Sequence, residues 1–176
     1  MMKIFAPVLV VAAMHLALPA CAQSEHRANE RELAEVKKIE QSTVLLNNES
    51  QLIPLKNLEN FRIASVNIGF PCATEFDSLL NKYALVKSFP ASAYTDSLNL
   101  DDLSDDLKFY NTVIVQLSDQ ALNDPKTIAF LLDNQKNKQL IVCLFGNAQS
   151  LKFLDAINAP VIWSEKKSAA SAEFVA

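Results

Sequence analysis

From residue 43 onward the chain alternates nearly unbroken apolar runs with stretches whose apolar residues return every three or four positions. The runs are residues 43–46, Ile63–Ile68, 84–89, 112–117, Gln139–Phe145 and 160–163, each short enough and rich enough in β-branched residues to predict a strand. Between them, Phe76, Leu79, Leu80 and Tyr83 mark a helix over 75–83, and Leu103 starts a short one over 103–109. Asp124-Pro125 pairs an N-cap with a first-turn proline, opening a helix that carries Ile128, Leu131 and Leu132 inward. Helices are also predicted over 148–156 and from Ser168 to the chain's end, and Leu33, Val36, Lys37 and Glu40 describe an amphipathic helix leading into the first strand. Pro54 stops a second apolar stub, Leu52-Ile53, after a polar turn.

Continuous apolar strands alternating with helices predict a parallel sheet covered on both faces, a doubly wound three-layer αβα sandwich. No repeat or low-complexity tract interrupts it. The sequence stops inside a helix, and the layout of the family that residues 40–55 resemble, given below, implies a further strand after it and so a sheet incomplete at its C-terminal edge. Such an edge would expose unpaired backbone and leave the domain marginally stable.

A length of 176 residues suits one domain, and 50% hydrophobic with 20% charged residues suits a folded core. A net charge of −4 and the lack of any Lys/Arg cluster argue against a nucleic-acid partner. Only two glycines occur, Gly69 and Gly146, which rules out a glycine-rich phosphate loop. No cofactor is expected.

Lys3 followed by the apolar run 4–18 and small residues around Cys21 predicts a secretory leader over residues 1–22, too short for a membrane span. Ala20-Cys21-Ala22 suits ordinary cleavage before Gln23, while Leu18-Pro19-Ala20-Cys21 resembles a bacterial lipobox that would lipidate Cys21. Both routes export the chain, to the periplasm or the outer membrane of a Gram-negative bacterium, with membrane contact only through such an anchor. Residues 23–47 then form a linker helix and leading strand, and 48–176 the α/β domain. An exported chain permits a disulfide between Cys72 and Cys143, which the sequence leaves open; Cys143 lies in an apolar run that suits a buried thiol.

Residues 40–49 (Glu-Gln-Ser-Thr-Val-Leu-Leu-Asn-Asn-Glu) followed by Leu52-Ile53-Pro54-Leu55 resemble the segment by which glycoside hydrolase family 3 enzymes pass from catalytic barrel to second, α/β domain. There the pattern is E-S-x-V-L-L-K-N-E, then L-L-P-L. Residues 138–147 are similar to that family's K-x-V-V-V-x-x-G-x-P strand and turn, with Asn147-Ala148 at its end, and 159–163 to a later strand. The flavour is that of exported β-N-acetylglucosaminidase-like members. No barrel precedes the segment.

The resemblance implies a sugar site whose nucleophilic aspartate belongs to the missing barrel. The β-glucosidase motif E-G-x-D-R-x-x-L-x-L-P is absent from 118–125, and so is the barrel-loop His–Asp pair of the other branch. In an open α/β sheet ligands bind beyond the strands' carboxyl ends, here residues 69–74, 118–123, 146–149 and 164–167. Asp119 and Asp124 are faint candidates for sugar contact, with loop solubility and helix capping as their ordinary roles. Trp163 and Tyr94 could stack on a sugar. The acidic run 96–106 lacks the spacing and glycine of a calcium loop, so no metal is expected. The only histidines, His15 and His26, precede the domain, which excludes a triad or histidine metal site within it. Three readings follow: a non-catalytic domain inactive alone and partnered by a catalytic barrel or other glycosidase domain, a glycosidase acting unaided on a β-linked sugar, or an exported binding module for glycan or protein.

Overall fold

The computed structural model describes residues 18–94 and 100–176, with side chains from residue 29. It divides into two units, residues 1–38 and 39–176. In the first, the described part is helical and belongs to α1 (Leu18–Ser42), on which Leu33 and Val36 are exposed. The leader over 1–22, with its cleavage or Cys21 lipidation, lies outside the described residues apart from the backbone of 18–22. Among the described residues, no helix is long and apolar enough to cross a membrane.

The second unit is a six-stranded sheet: β1 (Thr43–Leu46), β2 (Ile63–Ile68), β3 (Val86–Pro90), β4 (Thr112–Ser118), β5 (Gln139–Phe145) and β6 (Val161–Ser164). Their order is β1-β6-β5-β4-β2-β3, all parallel except β1, which runs antiparallel to β6. α2 (Ala73–Leu80), α3 (Leu100–Asp106), α4 (Pro125–Asn137) and α5 (Ala169–Val175) complete it. The α/β sandwich read from the sequence is therefore present.

Strand alternation sorts the core into two halves. Val113, Val115, Leu117, Leu140, Val142 and Leu144 face α3 and α4, meeting Leu103, Leu107 and Leu131. Ile63, Ile114, Ile141, Cys143 and Phe145 face the opposite way, toward Phe76 of α2 and Ala172 of α5. All seven residues of β4 are buried, as a central strand covered on both faces requires. On the α2/α5 face both helices are short, and Leu52, Ile53, Leu55, Leu58 and Phe61 supplement them. An apolar cavity of about 270 Å³ remains there. The stub stopped by Pro54 thus helps cover the sheet.

Two expectations are corrected. The unpaired edge expected beside β6 is not there: Thr43 pairs with Ser164, Val44 with Trp163, Leu45 with Ile162 and Leu46 with Val161. The leading strand returns to that edge and itself becomes the outer strand, with Val44 and Leu45 exposed. Residues 148–156 do not form an α-helix. Ala148–Leu154 is a 3₁₀ stretch, whose three residues per turn align Leu151 with Leu154, and Ile157 follows at the same spacing.

Phe145 anchors the α2/α5 face. It is fully buried, its ring stacks on Phe70 at 3.8 Å between centroids, and Phe76 meets it edge-on at 6.4 Å. Phe145→Ala should lower unfolding free energy by about 3–5 kcal/mol, read as a shift of the urea midpoint with the slope unchanged.

Candidate functional site

The carboxyl edge of the sheet gathers the ends of β2, β4, β5 and β6. Both glycines of the chain stand there. Gly69 follows β2 at φ +77°, and a Cβ on it would lie 2.9 Å from Ser118 Oγ. Gly146 follows β5 at φ +130°, and a Cβ there would lie 2.6 Å from Asp119 Cγ and 2.8 Å from Lys167 Cε. These are positions where a side chain is excluded by backbone angle and by space together.

What fills the space over Gly146 is an ion pair. Lys167 Nζ donates to Asp119 Oδ1, and the Asn147 backbone N–H donates to Asp119 Oδ2 at 3.1 Å. The side chains of Lys167 and Asp119 are 30% and 20% exposed, so the pair is partly shielded. Partial burial pushes the Asp119 carboxyl upward, but the Lys167 hydrogen bond, the Asn147 amide, the Lys167 charge and the Gln120 amide together hold it below the ordinary carboxylate value. Asp119 is thus a fixed anion tying the loop after β4 to the segment after β6. The sequence places Lys167 at this edge; its pairing with a carboxylate 48 residues away is tertiary information.

The other anticipated residues serve local structure. Asp124 caps α4, accepting from the Lys126 N–H at 2.9 Å, and borders a separate cavity of about 250 Å³ with Ile68, Gly69 and Tyr94. Asp119 and Asp124 line different cavities. Trp163 Nε1 donates to the Gly146 carbonyl at 2.9 Å, and its ring packs against the core. Tyr94 donates to Asp106 Oδ2 at 2.7 Å; burial first, then that bond and charge, push its hydroxyl to about 12. Within the acidic run, Asp101 and Asp102 stand in the first turn of α3 and Asp105 pairs with Lys108 at 2.8 Å, while Asp96 lies outside the described residues. Among the described residues, no cluster of three His, Cys, Asp or Glu side chains could hold a metal. Cys72 and Cys143 are free thiols. Burial pushes Cys143 to about 12, and burial followed by the Glu75 charge raises Cys72, so neither is a thiolate nucleophile at neutral pH.

Beside the ion pair lies a shallow polar cavity of about 260 Å³, lined by Asp119, Gln120, Asn123, Asn147, Gln149 and Phe153 among others. Phe153 is not singled out by the sequence, where nothing distinguishes it from the other apolar residues of 148–156.

No protein-family model and no curated protein matches the sequence. Among solved structures, the chain is similar to a fungal multi-domain glycoside hydrolase family 3 β-N-acetylglucosaminidase, described as having a GCN5-related glucosamine N-acetyltransferase region. The TM-score is 0.63 at 15% identity, over 76% of this chain and 16% of that one. At this identity the likeness is one of fold: the α/β arrangement described above recurs within a much larger enzyme.

Two tests follow from this geometry. Gly146→Ala should cost about 1–3 kcal/mol in backbone strain, before any displacement of Asp119, and should lower the melting temperature. Because the folded Asp119 carboxyl is depressed, the stability it contributes is complete above the unfolded carboxyl's titration near pH 4. That contribution is lost as pH falls through the folded value. Asp119→Asn should therefore flatten the acid side of a melting-temperature profile while lowering the plateau at neutral pH.

Proposed function

We propose that this chain is an exported, non-catalytic α/β domain of the kind that follows the barrel in family 3 β-glycosidases, acting beside a catalytic barrel or other glycosidase domain. The observation that carries the reading is the state of Asp119, the partly buried carboxylate of the carboxyl edge. Glycoside hydrolysis requires a carboxylic acid of raised pKa and a second carboxylate free to attack or activate water. Asp119 has a lowered pKa and both oxygens engaged. The order of elements, the residues 40–55 and the fold shared with part of a family 3 enzyme support the link to glycosidases. The leader read in residues 1–22 supports export to the periplasm, with Cys21 as a lipid-anchor candidate.

The purified protein, assayed at high concentration on chromogenic β-glucoside and β-N-acetylglucosaminide substrates, should show no turnover beyond that of an Asp119→Ala variant. Turnover that disappears in that variant would make the domain a glycosidase and overturn the proposal.

A further inference from the structure

On the α2/α5 face, helix length falls short of strand length. α2 has eight residues and is about 12 Å long, whereas β4 and β5, with seven residues each, run about 23 Å. Because α2 follows β2, it starts at the carboxyl edge and covers only the nearer part of the sheet. What it leaves is the apolar cavity of about 270 Å³. The floor is an isoleucine from each of β2, β4, β5 and β6 (Ile63, Ile114, Ile141 and Ile162), with Cys143 among them. α2 and residues 53–58 supply the walls. Ile114 and Ile141 keep 4% and 3% exposure, whereas Val113, Val115, Val142 and Leu144, on the other face of the same strands, keep none. The gap belongs to one face alone.

We propose that this cavity binds a small, uncharged, apolar molecule, larger than benzene and smaller than an ordinary drug. Size sets both limits: a cavity of roughly 150 Å³ holds benzene, and drug-sized pockets begin at roughly 300 Å³. The lining sets the polarity. No charged side chain lines the space, and its polar side-chain groups are the Cys143 thiol and the hydroxyl of Tyr83, a residue 72% exposed. Burial pushes the thiol to about 12, so it is neutral. The buried side-chain oxygens left without a partner among the described residues, Gln116 Oε1 and Ser164 Oγ, belong to residues outside the lining. Nothing there anchors a water, and an apolar cavity of this kind stays dry. Its lining therefore lacks dispersion partners on one side, and a ligand of matching shape restores them. Charge decides against an ionised amphiphile: within two positions of the lining residues, basic and acidic side chains are equal in number, so no field of one sign awaits a headgroup. Neither Asp119 nor Lys167 lines the cavity, so the site is independent of the accessory-domain reading.

The test is an isoleucine-methyl NMR titration of the full chain with p-xylene and, separately, with p-toluate. Shifts with p-xylene should concentrate on the δ1 methyls of Ile63, Ile114, Ile141 and Ile162, and saturating p-xylene should raise the melting temperature. p-Toluate has the same ring but carries a carboxylate that would have to leave water, and should bind at least about ten-fold more weakly. Ala84→Leu places an isobutyl group in the space from a half-buried lining position and should abolish the p-xylene shifts without lowering the melting temperature. Val175→Phe fills the space from α5 and serves in its place if Ala84→Leu does not fold. Absence of isoleucine shifts at saturating p-xylene, equal affinity for p-toluate, or undiminished binding by a folded filled variant would each overturn the site. So would shifts that follow protein concentration instead of ligand, which would make a second copy the occupant.

Discussion

β4 and β5 stand in the middle of the sheet with both faces out of water: Val113, Ile114, Val115, Leu140, Ile141 and Val142 are each at most 4% exposed. Strands of this kind cannot be stable as one side of a two-layer structure, because either face left open would return several large aliphatic side chains to water. Helices must therefore cover both faces. α3 and α4, joined by Leu151, Leu154 and Ile157, cover one; α2 and α5 cover the other in part, and Leu52 to Phe61 lies against it. β1 lies along the open side of β6 and pairs backbone groups that β6 would otherwise leave unpaired there.

The polar carboxyl edge is a consequence of that arrangement. With β2, β4, β5 and β6 parallel, their carboxyl ends open on one rim of the sheet, and the loops leaving them are free to carry polar chemistry. Here most of that chemistry is turned inward on the fold. The ion pair lying across Gly146 joins the loops after β4 and β6, and Trp163 fastens the same turn through the Gly146 carbonyl. Such rigidity suits a binding wall, where pre-organised groups lose little entropy on contact with a ligand. It suits acid–base catalysis poorly, since an acid at this edge would have to release a proton that Asp119 does not hold at neutral pH.

Much of the fold is legible in the residue pattern because burial on two faces writes itself as unbroken apolar runs. The sequence limits of the strands at 43–46, 63–68 and 139–145 agree with those observed. The place of β1 was not legible: four residues, Thr-Val-Leu-Leu, are equally compatible with either edge, and pairing partners are tertiary. The region 148–154 reads as an α-helix because a spacing of three, as from Leu151 to Leu154, suits an α-helical face as well as a 3₁₀ one, and only packing decides between them. At the site, Asp119 could be singled out by its position after β4, but its role could not. That role depends on Lys167, 48 residues on, and on the glycine whose missing Cβ makes room for the pair.

The central claim is that Asp119 is a structural anion rather than a reacting carboxylate. It is tested most directly by incubating the protein with a cyclitol epoxide, which alkylates nucleophilic carboxylates of retaining glycosidases, and reading the intact mass. The account predicts an unchanged mass, with Asp119 shielded by Lys167 and Asn147. A single covalent adduct mapping to Asp119 would contradict it.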